Sequence, residues 1–291
     1  MTPLVDSFYD KITGTVTHVI HAGAGSACAV VDPVLDFEPR AARLSTAALD
    51  PVVAFIAAQS LRLDWILETH VHADHLSGAQ RLKERCGGRV AIGARVVEVQ
   101  RHFAGVFHTG ADFAADGRQF DHLFQDGERF AIGALAAEAM FTPGHTSDSV
   151  TYVVGDAAFI GDTLFMPDGG VARCDFPGGD AALLHRSIER ILALPPATRL
   201  FVCHDYMPGG RAPRWQASVA EQRDQNIHYA GLDAAGFVAK RKARDATLDA
   251  PLLIIPAVQV NMRAGHLPPP ESNGVSYLKV PVGRFQANPP A

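Results

Sequence analysis

No stretch of this chain approaches the roughly 20 consecutive apolar residues that a membrane-spanning helix needs, so no transmembrane segment is expected. Cysteine is scarce: Cys28, Cys86, Cys174 and Cys203 lie far apart and form no CxxC pair. That spacing excludes a cysteine-built zinc site and a disulfide-dense secreted scaffold, and it points to a reduced, cytoplasmic setting. A basic block is missing too. The net charge is −5 with both signs scattered, so neither nucleic acid nor a membrane surface is an expected partner. The first ten residues lack a basic flank followed by an apolar run, and no secretory signal is expected. Internal repeats and low-complexity tracts are absent.

What remains is an ordinary globular composition. The 291 residues are 47% hydrophobic and 20% charged, enough to bury a sizeable core. Short β-branched runs cut by glycine and aspartate alternate with helical patterns. Residues 15–20 and 27–31 read as a hairpin around residues 21–26. Residues 50–61 have helical spacing, with Val53, Ile56, Ala57 and Leu61 on one face. A strand over 64–68 leads into His70, and a helix over 77–86 stops at Gly87-Gly88. Residues 101–126, rich in Phe and His, read as an ordered loop near a site. Strands are expected at 90–92, 130–132, 136–142, 150–154, 157–161 and 200–203, and helices at 180–194 and over most of 218–244. The pattern predicts an α/β sandwich of sheets covered by helices. Residues 1–250 form the expected main domain. Residues 251–291 read as an extension packed on it, whose removal is expected to lower solubility or substrate affinity rather than metal binding.

The chemical signal is concentrated in Thr69-His70-Val71-His72-Ala73-Asp74-His75. In extended backbone alternate side chains share a face, so His70 and His72 can reach one ion. Asp74 and His75 follow as the chain turns toward a helix. Imidazole suits zinc and iron, and carboxylate broadens the choice. His145 on a Pro143-Gly144 turn, Asp162 in Gly161-Asp162-Thr163, and His204 in Cys203-His204-Asp205 repeat the theme at three further strand ends. Donors gathered from the ends of several strands are how a rigid scaffold presents an open site. A lone histidine is more often a core or surface residue, and the remaining histidines are read that way, with His102, His108 and His122 as candidates for the mouth of the site.

HxHxDH, then GHT, GDT and a late histidine, resembles the signature of the metallo-β-lactamase fold superfamily over about residues 10–210. The resemblance implies a four-layer αββα sandwich with the metal site at the edge of the paired sheets. Within that superfamily the chain looks most like the glutathione-dependent persulfide dioxygenases, on Leu67 to Leu76, Ile160 to Phe165, Ala172-Arg173-Cys174-Asp175-Phe176, Cys203-His204-Asp205-Tyr206, and Val258 to Pro268. Glyoxalase II is the next closest likeness, although its C-terminal pattern of basic residues is not evident.

The first likeness implies one Fe(II) per chain held by His70, His145 and Asp162, two histidines and a carboxylate that leave open positions for a persulfide sulfur and O2. The products are sulfite and glutathione. The second implies a pair of zinc or iron ions, one at His70, His72 and His145, the other at Asp74, His75 and His204, with Asp162 bridging, and hydrolysis of a glutathione thioester. A metal-loaded binding or sensing domain without catalysis is the alternative of another class. Arg173 is the candidate for gripping a glutathione carboxylate, weighed against pairing with Asp175. Tyr206 is a candidate to donate to substrate or to a ligand, and Asp74 to orient a metal-bound water or a histidine. Cys174 and Cys203 read as small buried packing residues. A two-fold homodimer is the expected assembly.

Overall fold

The computed structural model describes residues 2–110 and 113–284. Positions 111 and 112 of the expected loop and the last residues of the expected extension, 285–291, lie outside the described residues. In chain order the elements are β1 (Leu4–Tyr9), β2 (Val16–His21), β3 (Ala27–Val31), β4 (Val34–Glu38), β5 (Arg43–Ser45), α1 (Asp50–Ala58), β6 (Arg62–Leu67), β7 (Leu76–Ser77), α2 (Ala79–Cys86), β8 (Arg89–Gly93) and α3 (Val96–Phe107). There follow β9 (His122–Phe124), β10 (Glu128–Ile132), β11 (Leu135–Phe141), β12 (Val150–Val154), β13 (Ala157–Phe159), α4 (Ala181–Leu192), β14 (Arg199–Phe201), β15 (Gln216–Ser218), α5 (Val219–Gln225), α6 (Ala234–Asp245) and α7 (Ile254–Asn261).

The two-residue period of a strand assigns its side chains to layers. In β3, Cys28 and Val30 face one core while Ala29 and Val31 face another; in β6 a register shift at Asp64 interrupts the alternation, so that Leu63 and Ile66 share the first core and Trp65 and Leu67 the second. In β14, Leu200 points to a third core and Phe201 to the second. The sheets that result are ordered β1-β2-β3-β6-β8-β9 and β10-β11-β12-β13-β14-β15, with a small β5-β4-β7 sheet beside them. They face each other across the middle core. α1, α2, α3 and α7 cover the outer face of the first sheet, and α4 with α6 that of the second. This is the four-layer αββα sandwich expected from the resemblance. No helix among the described residues is long and apolar enough to cross a membrane.

Several local expectations change. Residues 101–107 are helical, not irregular: Val99, Phe103 and Phe107 are buried at helical spacing, so the aromatic richness there is core rather than site. The helical stretch 218–244 is two helices separated by a turn, α5 opening with a Ser218–Glu221 capping box and α6 with Asp233 as its N-cap. The buried residues of α1 are Val52 and Ile56; Ala57 is exposed, and Leu61 packs from beyond the helix end.

At one edge of the sandwich, the chain leaving β6 carries His70 to His75, the β11–β12 connection carries His145, and the residues after β13 and β14 carry Asp162 and His204. Two glycines make the close approaches possible. Gly144 has φ +140°, and a Cβ there would lie 2.3 Å from the backbone of Leu184 in α4. Gly161 has φ +50°, and its Cβ would come within 2.8 Å of Thr69 Oγ1.

Candidate metal centre

All seven expected donors come together. His70, His145 and Asp162 each offer a donor atom within 4.8 Å of the others, and so do His72, Asp74 and His75. Asp162 and His204 converge with the Cys203 thiol in a further group, and Asp32, His72 and Cys203 in another. The carboxylate of Asp162 faces both sides of the centre. Its Oδ1 accepts from His204 Nδ1 at 2.6 Å, and its Oδ2 lies 3.8 Å from His145 Nε2.

The donor set fits a metal on its own terms. His70 Nε2, His72 Nδ1, Asp74 Oδ2 and His75 Nε2 are buried and have no hydrogen-bond partner among the described residues. Asp74 Oδ2 lies 2.6 Å from His204 Nε2 without the alignment of a hydrogen bond. Buried polar atoms are rarely left unpaired. Four of them converging in one cluster is what lone pairs directed at a cation require.

The opposite ring edges are occupied, which orients the donors. His72 Nε2 donates to Asp32 Oδ1 at 3.0 Å, and Asp32 also accepts from the Thr69 backbone N–H at 2.8 Å and its hydroxyl at 2.9 Å. His145 Nδ1 donates to the Arg173 carbonyl at 2.6 Å. Thr15 Oγ1 bridges His204 Nε2 at 3.0 Å and His75 Nδ1 at 3.3 Å. Asp148 accepts from the Val71 N–H at 2.9 Å. Asp32, Thr15 and Asp148 were not among the expected residues. The clue to Asp32 is an aspartate that ends the apolar run of β3 at φ 50°, a conformation in which aspartate is enriched.

Burial and mutual charge set the electrostatics. Burial opposes the charged form of His72, but the Asp32 carboxylate, helped by Glu68 and Asp74, outweighs it and pushes His72 up to about 9. Burial raises Glu68, with Asp32 adding to it, to about 8. Burial and the neighbouring rings of His72 and His145 hold His70 well below the ordinary histidine range.

A cavity of about 230 Å³ opens on Asp74, His145 and Asp162. Phe165, Phe176 and Tyr206 give it aromatic walls, and Arg173, Arg241 and Arg244 line it as cations. The Arg173 guanidinium is occupied: Nε and Nη2 each donate to Asp175 at 2.7 Å, and Nη1 donates to the Asp249 carbonyl at 2.6 Å. Arg244, by contrast, is exposed and has no carboxylate within ion-pair distance among the described residues. Tyr206 stacks parallel to His204 at 5.7 Å and is 57% exposed. Cys174 is buried and donates to Asp245; burial, with that contact, pushes its thiol up to about 12. His102, His108 and His122 do not line the cavity; His122 instead pairs with Glu128 at 2.6 Å.

Comparison with known proteins agrees with this geometry. A probable metallo-hydrolase of Burkholderia pseudomallei (strain 1710b) is 53% identical over 96% of this chain and 98% of its own length. A protein named Glyoxylase B2 from Dictyostelium discoideum is 46% identical over 88% of each chain. The human mitochondrial persulfide dioxygenase ETHE1 is 29% identical over 90% of this chain and 89% of its own. Among solved structures, that of ETHE1 from Myxococcus xanthus covers 90% of this chain and all of its own, at a TM-score of 0.72 and 29% identity. The family model described as the metallo-beta-lactamase superfamily matches residues 13–204, from just before β2 to the last histidine of the centre. With fold, donor set and sequence match in agreement, the chain belongs to the metallo-beta-lactamase superfamily.

Proposed function

We propose that this enzyme acts at the sulfur end of a small glutathione-like conjugate, and that its chemistry is thioester hydrolysis by a two-metal centre. The observation that carries this reading is the split carboxylate of Asp162, one oxygen toward His145 and the other toward His204, with unpaired donor atoms on both sides of it. The hydrolase and glyoxylase names of two relatives at 53% and 46% identity favour it as well. Cations held by His70, His72 and His145 and by Asp74, His75 and His204, with Asp162 between, would supply Lewis acidity toward a thioester carbonyl and a nucleophilic water near neutral pH.

The chain's own groups do the rest. Arg244 attracts the carboxylates of the substrate at the cavity rim, and the committed guanidinium of Arg173 holds the wall rather than the ligand. Phe165 and Phe176 keep bulk water from the thioester. Arg173 O and Asp32 fix the ring orientations of His145 and His72. Residues 1–250 serve as the catalytic unit, and the described part of the extension that starts at residue 251 packs on it.

A second reading is favoured by a different observation. His70, His145 and Asp162 form a compact trio of two histidines and a carboxylate, of which His145 and Asp162 line the cavity, and the solved structure of ETHE1 from Myxococcus xanthus matches over 90% of the chain. Fe(II) held by that trio would supply oxidation of a persulfide with O2. Metal content of protein purified without added metal, assayed with S-lactoylglutathione and with glutathione persulfide under an oxygen electrode, separates the two. Two ions per chain with thioester turnover support the first reading. One iron with oxygen uptake and sulfite release overturns it in favour of the second, and neither activity overturns both.

A further inference from the structure

We propose that Asn261, on α7, is a positioning residue for the metal-binding loop, so that the loop keeps its ligand geometry only while the C-terminal helix is docked. This does not depend on which reaction the centre performs.

The loop from His70 to His75 runs between β6 and β7 with no strand or helix to satisfy its backbone. Buried carbonyl and N–H groups there need partners from elsewhere. Asn261 supplies three from a distance of 184–189 residues along the chain: its Nδ2 donates to the His72 carbonyl at 2.9 Å and to the His75 carbonyl at 2.8 Å, and its Oδ1 accepts from the Ser77 N–H at 2.7 Å. The side chain is 4% exposed. Its amide carries two donors and an acceptor on a short stem, and Asp, Ser or Leu cannot reproduce all three bonds.

The clamp reaches the donors by a second route. Ser77 Oγ donates to Glu68, and Glu68 Oε2 lies 3.8 Å from His72 Nε2. The register of α7 is set by packing. Ile254, Val258 and Met262 enter the core beneath the first sheet, and Ala257 and Val260 pack with Leu35 and Leu76. Just beyond the helix, Gly265 at φ +86° passes so close that a Cβ would lie 3.2 Å from the Ser77 carbonyl. Gln80 Nε2 ties the Ala264 carbonyl at 2.8 Å. The expectation that losing residues 251–291 spares metal binding is therefore reversed. Without α7, two ligand-residue carbonyls and the Ser77 N–H lose their partners.

The test uses the full chain. Asn261→Ala removes the whole clamp, and Asn261→Asp keeps the acceptor for Ser77 while losing both donors. Val258→Ala, on the same helix and in the core, serves as the packing control. For each variant, the Zn(II) dissociation constant from chelator competition, the visible spectrum of the Co(II)-loaded protein and the melting temperature of the metal-free protein are measured. Both Asn261 variants are expected to bind Zn(II) about 10- to 100-fold more weakly and to shift the Co(II) bands. Val258→Ala is expected to lower the metal-free melting temperature while keeping Zn(II) affinity within about twofold of the parent. Parent-like affinity and spectrum in either Asn261 variant overturn the proposal. So does an equal loss of affinity in Val258→Ala, which would make the effect a general loss of packing.

Discussion

Four of the seven donors, His70, His72, Asp74 and His75, come from six consecutive residues between β6 and β7, whereas His145, Asp162 and His204 each stand beyond a different strand of the second sheet. The first group gets its geometry from outside, from Asp32, Asp148, Thr15 and Asn261. The second gets its geometry from the sheet, whose strand ends arrive in register, and from glycine turns that let the chain pass close to its neighbours. A dense local motif thus needs remote braces for its backbone as well as its rings, while the scattered donors take their positions from strand ends and need partners, Thr15 at His204 and the Arg173 carbonyl at His145, only to orient their rings.

The sharpest way to break this contrast is Gly144→Ala. The new Cβ would collide with the Leu184 backbone at a φ that side chains avoid. Overpacking and backbone strain together are expected to cost about 4 kcal/mol in urea unfolding, and metal content should fall as His145 moves. Gly105→Ala, in α3 with nothing within 4 Å of its Cβ, should instead stabilise by about 0.5–1 kcal/mol. Equal effects at the two sites would show that the turn does not set the donor's position.

The second way tests the seam between the halves. His18 on β2 packs against Phe159 and Phe201 and donates to the Val202 carbonyl across the sandwich at 3.0 Å. Burial, opposed by that hydrogen bond, lowers it to about 4, against about 6.5 in the unfolded chain. Above pH 6.5 neither state is protonated there and its contribution is intact. Between 6.5 and 4 the unfolded chain binds a proton that the native one refuses, so stability falls by up to about 3 kcal/mol. In urea titrations of the metal-free protein from pH 7.5 to 4, His18→Gln should lose stability less steeply than the parent over that window. Identical slopes would remove His18 as the cause.

The smallest expected effect sharpens the loop side. Asp32→Asn keeps the shape but weakens the hold on His72 and Thr69, and metal affinity from chelator competition should fall about 10- to 100-fold. Unchanged affinity would show that His72 is not a ligand and that the trio of His70, His145 and Asp162 suffices, which is the arrangement of the second functional reading.

The cluster of seven candidate donors was legible in the sequence because each sits in a short pattern at an expected strand end; alternating strand and helix patterns pointed only to sheets covered by helices, and the paired-sheet arrangement followed from the family resemblance of the motifs. α3 was misread because its Phe-rich turn at 101–107 imitates a site loop until Val99, Phe103 and Phe107 are seen to share one buried face. The role expected of Arg173 met a closer partner: Asp175, two residues on, reaches the guanidinium, while Arg244, more remote in sequence, stands at the rim.

What the sequence determined by itself is which atoms are available to hold a metal, since identity and short-range spacing are local properties of a chain. What only the tertiary structure decided is how those atoms are held. Asp32 meets His72 across 40 residues and Asn261 meets the same loop across 184 or more. Such distant pairings are set by layer packing and strand register, which no local pattern encodes.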